Sequence, residues 1–548
     1  MKFEDLLLET GGFGRFQILI LFLLCFPRIN LPMHFLLHNF LAATPSHHCA
    51  IPHQEAFVNL TTEELLLISV PREPDGTFRS CEMFSQPQFY LLLLNSSLQP
   101  ENDSLIEDCK HGWVYDHSQF TSTTATQWDL VCEQRGLNQA TATFFFIGVT
   151  VGAVIFGYLS DRFDPFQAVP LLSPALDFSF TNCMLAITRT LTGVALSGIS
   201  LIILPLGMEW VDVQHRTLSG ILTSIFWSIG NMLLAMVAYL VRDWRWLLVA
   251  VTGPCFPSII CLWVPESARW LIANGKVKQA HRHLLRCARM NGRKDFAVSP
   301  EALRRMTTEK KSGENYSYIS LFRTPVLRKI SLCSGAVFGV AFSYYGMSLN
   351  LTGFGLNMYL SQFVFGIIEI PAKLIMYVLV NRVGRRQSQA WTLILAGLCI
   401  GANVIIPKCE TLLLAIMGKG FSESAFTTVF LYTSELYPTI LRQNGMGYTS
   451  FVARIGGALA PLVFLLDDVW RSLPEVTYCG VAVCCGSVAF LLPETLNVHL
   501  PEAAHEGWRQ LGFLVLCPSV QHAFFSSRVR GPLQIGAPEG VPLQSRLK

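Results

Sequence analysis

The sequence predicts an all-α membrane protein in which twelve transmembrane helices form two pseudo-symmetric six-helix halves. Three observations lead to this fold class. Only 14% of the 548 residues are charged, whereas soluble domains carry about 25%. Apolar runs of about 20 residues, long enough to cross about 30 Å of hydrocarbon, recur along the chain. The third observation is an internal repeat, which is typical of membrane proteins built from two related halves.

The repeat consists of charged residues that keep the same spacing in both halves. Glu209 precedes Arg216 by seven residues, and Glu435 precedes Arg442 by the same spacing. A glycine opens the apolar run that follows each copy. Two further pairs of dipeptides match: Asp161-Arg162 with Asn381-Arg382, and Pro265-Glu266 with Pro493-Glu494. The repeat therefore indicates two related halves.

Two long polar loops give the predicted orientation. Residues 44–138 carry four Lys or Arg and thirteen Asp or Glu, whereas residues 265–327 carry thirteen and five. Because basic loops stay in the cytosol, the first loop is predicted outside and the second inside. Both termini are then cytosolic. The predicted spans are 16–43, 139–159, 166–186, 190–208, 218–241, 246–264, 329–349, 357–380, 388–406, 411–433, 444–466 and 475–493.

These spans divide the chain into consecutive regions. A cytosolic N-terminus (1–15) precedes the first half (16–264), which contains the extracellular loop 44–138. The cytosolic basic loop (265–327), the second half (328–493) and a cytosolic tail (494–548) follow.

The extracellular loop is predicted to be glycosylated and disulfide-bonded. Its Asn-x-Ser/Thr acceptors are Asn59, Asn95 and Asn102. Its four cysteines can form two disulfides in three pairings, and the sequence does not choose among them: Cys49, Cys81, Cys109 and Cys132. The neighbouring His47, His48 and His53 are interpreted as solvated histidines, so no metal site is predicted.

Several functions are excluded by missing motifs. No Gly-x4-Gly-Lys-Ser/Thr phosphate loop is present, which argues against an ATP-driven pump. Gly11-Gly12-Phe13-Gly14 is not a dinucleotide fingerprint, because no strand precedes it. Near-zero net charge and the lack of a basic cluster interleaved with aromatics argue against nucleic acid. We therefore predict neither an enzyme nor a bound cofactor.

The third predicted span is the weakest part of the first half. The repeat predicts about six more residues between Asp161 and Glu209 than the chain has, and the Gly384-Arg385-Arg386 cluster of the second half has no counterpart after Arg162. Residues 164–186 also carry three prolines and Asp177, each costly inside a membrane helix. Either neighbouring helices hold a strained span, or this segment comes from an altered exon.

Arg454 is the first candidate for a binding residue. An ionisable residue at membrane depth is a functional candidate by default, and the nearest acid along its helix, Asp467, is thirteen residues away. An arginine that faces a water-filled cavity can hold an organic carboxylate or phosphate through two parallel hydrogen bonds. The alternative is a structural salt bridge to an acid on another helix.

Lys373 is the second candidate, although Glu369 lies one helical turn earlier on the same face. The two can form an internal pair that leaves no net charge for a substrate, and Pro371 between them would make that pair breakable. Lys419 and Glu423 share this spacing and are expected to pair with each other.

Other polar and aromatic residues complete the candidate site. Arg189 has no acid one turn away and is expected to face the cavity. Aromatic side chains can stack on flat substrates and tyrosine hydroxyls can donate to carboxylates, although an interfacial belt is an equal alternative. These candidates are Tyr344, Tyr345, Phe342, Trp227 and, as a polar residue of the first span, Asn39.

Several motifs resemble the organic ion transporter family of the major facilitator superfamily. They are Gly157-Tyr158-Leu159-Ser160-Asp161-Arg162, Pro265-Glu266-Ser267-Ala268-Arg269-Trp270, Thr433-Ser434-Glu435-Leu436-Tyr437-Pro438-Thr439 and the cysteine-bearing outer loop. The resemblance covers residues 1–163 and 187–496. It implies a twelve-helix fold and alternating access, in which rigid halves rock about a site near the bilayer midplane.

The resemblance also implies roles for particular residues. In anion-carrying members a lysine of the eighth helix and an arginine of the eleventh are linked to anion handling, and they match Lys373 and Arg454. Tyrosines of the seventh helix match Tyr344 and Tyr345, and an asparagine of the first matches Asn39. Gating or structural roles are expected for the charged anchors of the repeat and for Arg189 and Arg385, which gives the set Asp161, Arg162, Arg189, Glu209, Arg216, Arg382, Arg385, Glu435 and Arg442.

The expected function is secondary active transport or exchange of small organic anions across the plasma membrane, at the basolateral face of epithelial cells. The lipid bilayer and a counter-anion are the expected partners, and a homo-oligomer is left open. One alternative is a cation or zwitterion carrier of the same fold. The other is a transport-deficient variant, because segment 164–186 is altered.

Overall fold

The computed structural model describes most of the chain before its C-terminal tail. The described residues are 3–52, 60–73, 76–89, 106–160, 181–212, 215–255, 264–273, 275–293, 296–304, 320–323, 325–350, 357–405, 411–437 and 442–496. Four groups of predicted features lie outside these ranges: the glycosylation acceptors Asn59, Asn95 and Asn102, the pair Asp161-Arg162, most of the third span and most of the tail.

The described residues are mainly helical, and eight of their helices are long and apolar enough to cross a membrane. The helices near the site are numbered in chain order: α1 Arg15–Leu36, α2 Arg135–Ser160, α3 Asn182–Trp210, α4 Arg216–Leu240, α5 Trp244–Thr252, α6 Val277–Met290, α7 Val337–Leu349, α8 Met358–Arg382, α9 Arg385–Ile405, α10 Thr411–Leu436, α11 Arg442–Val463 and α12 Leu473–Ala489. Shorter helices are Phe3–Glu9, His38–Leu41, Thr62–Ser69, Thr124–Gln127, Ala268–Ala273, Ser320–Arg323 and Pro325–Ser334. The predicted helical membrane fold is confirmed.

One predicted boundary is wrong. Residues 182–186 were expected to end the third span, but they form the first turns of α3. The reason is a helix cap: the hydroxyl of Thr181 accepts a hydrogen bond from the backbone N–H of Met184, which starts a new helix there. Hydrophobicity averaged over the length of a span does not reveal this start, because apolar residues lie on both sides of Thr181 and Asn182.

The loop 44–138, predicted to be extracellular, contains two small antiparallel strand pairs among its described residues. They are β1 His47–Cys49 with β4 Trp113–Tyr115, and β2 Glu82–Phe84 with β3 Ile106–Asp108. The disulfides join Cys49 to Cys109 and Cys81 to Cys132, which is one of the three pairings left open by the sequence. His47 lies close to Cys81 and Cys132, but both sulfurs are in a disulfide and neither can bind a metal as a thiolate.

Glycines set the close helix packing of the bundle. At Gly148 in α2, an added Cβ would lie 2.0 Å from the carbonyl oxygen of Thr190 in α3, so only glycine allows this approach. Gly384 has a φ of +108°, which favours glycine, and it makes the turn between α8 and α9. The described first half has no equivalent residue to compare, because residues 161–180 are outside it.

The two halves meet mainly along two helix pairs. α2 packs on α11, and α4 packs on α8. Helix α6, in the basic loop 265–327, buries an apolar face that includes Leu284 and Cys287. Asn291, just after α6, accepts from the backbone N–H of Phe16 and donates to Gln17 in α1. Helix α6 therefore belongs structurally to the first half, whereas Leu321 and Leu327 at the end of the basic loop cluster with Tyr432 of the second half.

Candidate functional site

A buried carboxylate, Glu369 in α8, lies at the centre of the interface between the halves. Its oxygens accept hydrogen bonds from Ser228 (2.8 Å) and Asn231 (3.1 Å) in α4 and from the hydroxyl of Tyr344 (3.0 Å) in α7. The Nζ of Lys419 in α10 lies 3.2 Å from Oε1. Glu369 thus joins the second half to α4 of the first half.

Lys373 contacts two carboxylates. Its Nζ lies 3.6 Å from Glu369 and 3.1 Å from Glu423, and it donates to the carbonyl oxygen of Ser224 at 2.9 Å. The predicted Glu369–Lys373 pair is therefore present. The expected Lys419–Glu423 pair is wrong: Lys419 instead bonds Glu369, because the two acids face each other across α8 and α10 and the lysines bridge them.

Together these four residues form a neutral charge cluster. Each is almost fully buried, with 0–3% of its surface exposed, and their charges cancel when all are ionised. A buried ion needs a partner of opposite charge, since removing it from water costs several kcal/mol. As they stand here, the two lysines are satisfied by the protein and leave little positive charge for a substrate.

Arg454 in α11 is bound differently. Its guanidinium donates to the carbonyl oxygen of Val149 (3.0 Å) and to the hydroxyls of Ser197 (2.7 Å) and Ser200 (3.2 Å), all in the first half. No carboxylate forms an ion pair with it among the described residues. The structural salt bridge considered as an alternative is thus not present there, and Arg454 retains its net charge.

Aromatic side chains lie between the charge cluster and Arg454. The ring centroids of Tyr345 and Phe146 are 4.7 Å apart, and those of Trp227 and Phe35 are 5.6 Å apart. The indole N–H of Trp227 donates to the hydroxyl of Tyr344 at 3.3 Å. Tyr344, Tyr345 and Trp227 are thus brought together across the two halves, and they can contact the flat face of a ligand.

Phe342 does not join that group. Its ring lies 4.9 Å from Tyr478 in α12 and 5.4 Å from Phe338 on its own helix. It is 3% exposed and belongs to the core of the second half. No ring contact described for Phe342 joins it to Tyr345 or Trp227, so its predicted place in the site stays a prediction.

Two other predicted residues are used for packing. The amide of Asn39 donates to the carbonyl oxygen of Ser348 at 2.8 Å and to Gln362 at 3.3 Å, which joins the first span to α7 and α8. Arg189 was expected to face a cavity, and this is wrong. It is 4% exposed, donates to the carbonyl oxygen of His34 and lies over the Phe145 ring at 4.5 Å.

The predicted gating anchors are described mainly in the second half. Arg385 binds Glu435 through Nε at 3.1 Å and Nη2 at 3.3 Å. Glu494 accepts from the backbone N–H groups of Arg385 and Arg386. Arg382 is exposed and Glu209 is half-buried. Asp161, Arg162 and the side chains of Arg216 and Arg442 lie outside the described part.

One cation near the site was missed by the sequence reasoning. Arg28 lies in the middle of α1, with its guanidinium carbon 5.0 Å from the centroid of the Trp227 ring. The criterion that selected Arg454 also selects Arg28, because no acid occurs between Glu9 and Glu55. Ser197 and Ser200, which bind Arg454, could not be selected from the sequence. A serine in an apolar helix usually bonds the backbone of its own helix.

A bundle of membrane-crossing helices in two halves, with ionisable side chains buried where the halves meet, is the architecture of a secondary transporter. Comparison with known proteins supports this assignment. The family model described as Major Facilitator Superfamily matches residues 119–461. Solute carrier family 22 member 7 of Homo sapiens is 52% identical over 92% of this chain and 96% of its own length, and that of Bos taurus is 51% identical over the same shares.

A solved structure supports the fold independently. The inward open conformation of the xylose transporter XylE from E. coli matches with a TM-score of 0.59 and 13% identity, covering 91% of this chain and 99% of that one.

The chain therefore belongs to the Major Facilitator Superfamily and, within it, to solute carrier family 22. It is a multi-pass membrane transporter and not an enzyme. Three segments of the sequence, 71–76, 127–134 and 241–246, also look most like organic anion transporter 2. Solute carrier family 22 member 7 is that transporter, so the similarity to it confirms this resemblance.

Proposed function

We propose that the protein carries small organic anions across the plasma membrane, with Arg454 as the residue that binds their negative charge. The observation that carries the proposal is the electrostatic state of Arg454. It is a cation near the middle of α11 whose described partners are neutral oxygens. A carboxylate or phosphate would supply the opposite charge that the protein does not.

Arg454 is also placed to couple binding to movement. It belongs to α11 of the second half but bonds α2 and α3 of the first half. An anion that takes over its hydrogen bonds would weaken the contact between the halves and allow them to rock. Exchange follows from this model: the return movement is favoured when a counter-anion occupies the same arginine. Tyr344, Tyr345 and Trp227 would stack on the substrate, and basolateral epithelial membranes are the proposed location.

The test is uptake in expressing cells, normalised to biotinylated surface protein. Wild type is expected to take up labelled orotate or cyclic GMP but not tetraethylammonium. Arg454→Met should reduce anion uptake by about tenfold or more, because a charge-assisted pair is lost, and Arg471→Met, at an exposed arginine between α11 and α12, should not.

Two outcomes contradict the proposal. Cation uptake that survives Arg454→Asp would favour a cation carrier of the same fold. Absence of uptake of any test ion, at a normal surface level, would favour a transport-deficient chain, and segment 164–186 would be the first region to replace. Normal anion uptake per surface molecule rejects that second alternative.

A further inference from the structure

Arg28 is a membrane-embedded cation that the described protein does not satisfy. It lies thirteen residues into α1, about 20 Å from the cytosolic end at 1.5 Å per residue. Its Nε is buried and has no hydrogen-bond partner. Among the described residues, no hydrogen bond or ion pair holds the rest of its guanidinium, although the side chain is partly exposed. Its described contact is the face of Trp227 at 5.0 Å.

A cation at this depth requires either a partner or access to water, because an unpaired charge in hydrocarbon is costly. Glu423 is a carboxylate that interacts electrostatically with Arg28. However, Oε1 of Glu423 is already 3.1 Å from Lys373, and this acid belongs to the neutral cluster. Arg28 is therefore surplus positive charge, as is Arg454.

The two surplus arginines lie around one aromatic group. Both Arg28 and Arg454 are within electrostatic range of the hydroxyl of Tyr345. Tyr345 packs on Phe146 and Phe35, and Phe35 packs on the Trp227 ring that Arg28 covers. Two carboxylates and four cations lie in this region: Glu369, Glu423, Lys373, Lys419, Arg28 and Arg454. Their net charge is +2 when all are ionised. The carboxylates balance the two lysines, so both uncompensated charges are guanidiniums.

We infer that Arg28 is a second anion-binding residue and that, with Arg454, it makes the protein select flat organic anions with two negatively charged groups. Arg454 holds one group and Arg28 the other, while Trp227 and Tyr345 contact the ring between them. The inference rests on the proposed function, since it assigns a substrate class to the same site. Planar guanidiniums bind carboxylates through two parallel bonds, which a lysine cannot reproduce.

The experiment compares two ring anions that differ in charge. Uptake of labelled phthalate, with two carboxylates, and of labelled benzoate, with one, is measured for wild type, Arg28→Met, Arg28→Lys and the control Arg471→Met. All values are normalised to surface protein. Arg28→Met should lower phthalate uptake about tenfold or more and benzoate uptake less than about threefold, because one charge-assisted pair is removed. Arg28→Lys should be intermediate, and the control should match wild type.

Each contrary result has a distinct meaning. Equal loss of both anions, with recovery of benzoate uptake in Arg28→Met combined with Glu423→Gln, would assign Arg28 to a salt bridge with Glu423 and overturn the inference. Unchanged phthalate uptake in Arg28→Met would overturn it too. If wild type takes up neither anion nor orotate, the proposed function fails and the inference falls with it.

Discussion

Glu369 shows how a membrane protein holds charge at its centre. One carboxylate accepts from Ser228, Asn231 and Tyr344 and lies within 3.6 Å of two lysines. A buried ion pair adds little stability compared with an apolar pair, but removing one partner leaves an uncompensated charge. The cluster is therefore better suited to fixing where α4 and α8 meet than to strengthening the fold.

Replacing Glu369 with Gln should destabilise the protein by about 3–5 kcal/mol, because Lys373 and Lys419 would then share the single carboxylate of Glu423. The measurement is thermal unfolding of the purified carrier in detergent, together with uptake. A double variant, Glu369→Gln with Lys419→Met, removes one charge of each sign and should recover much of the loss. Equal stability of the single variant and wild type would show that the cluster does not depend on charge balance.

For individual residues, the sequence predicted which side chains are unusual better than it predicted the partners of those side chains. Arg454 stood out because no acid lies near it along the helix, and its described partners are indeed neutral. The pairing of Lys419 could not be predicted, because the i,i+4 rule applies only to residues of one helix. Its partner, Glu369, lies on another helix, α8.

Among the helices, glycines determine how closely neighbours pack. An added Cβ at Gly456 in α11 would lie 2.5 Å from the carbonyl oxygen of Phe338 in α7. That oxygen is part of the helix backbone and cannot rotate away. By contrast, a Cβ added at Gly480 in α12 meets nothing within 4 Å. The two glycines look alike in the sequence, but one is a packing contact and the other is not.

This difference predicts opposite outcomes for one substitution. Gly456→Val should lower the free energy of unfolding by about 1–3 kcal/mol or more, because α7 and α11 must separate. Gly480→Val should leave it unchanged. Both are compared by thermal unfolding in detergent and by the amount of protein at the cell surface. A matched loss in both variants would mean that helix propensity, and not the contact between helices, sets the effect.

The order of the described membrane helices followed from the apolar runs, because burial in lipid demands long apolar helices. The ends of the helices were predicted less well by the apolar runs. The start of α3 depends on the single Thr181 cap, and the short α5 begins where Asp243 accepts from the N–H groups of Arg245 and Trp246. Such caps are local bonds that an average over about 20 residues hides.

On the scale of the whole molecule, polar bonds between described residues join the halves at the centre of the bundle and near the helix ends that are predicted to face outside. At the centre, the Ser224 carbonyl accepts from Lys373, and Ser224 lies eight residues, or about 12 Å, from the first residue of α4. Nearer the outer ends, Arg135 binds Asp467 at 3.5 Å and the hydroxyl of Tyr359 donates to the Gln119 carbonyl at 3.1 Å. These outer contacts must break if the site is to open to the outside.

The outer contacts differ in the strength expected of them. The Arg135–Asp467 pair is more than a third exposed on both sides, so it contributes at most about 1 kcal/mol, or about fivefold in a population. Tyr359 instead packs on the rings of Phe40 (5.4 Å) and Phe120 (5.6 Å). Buried aromatic contacts of this kind contribute more, because apolar area is removed from water as well.

Outward opening can be followed with a cysteine at Gln362, which is 2% exposed and lies one turn inside Tyr359 in α8. In a Cys183→Ser, Cys484→Ser background, since both of these cysteines are exposed, a membrane-impermeant thiol reagent should label Gln362→Cys slowly. Asp467→Ala should speed labelling by no more than about fivefold, and Tyr359→Ala should speed it further. The charge swap Arg135→Asp with Asp467→Arg should restore the slow rate. Fast labelling of Gln362→Cys without any further substitution would mean that these contacts do not close the outer side. A labelling rate that does not respond to Tyr359→Ala would mean the same.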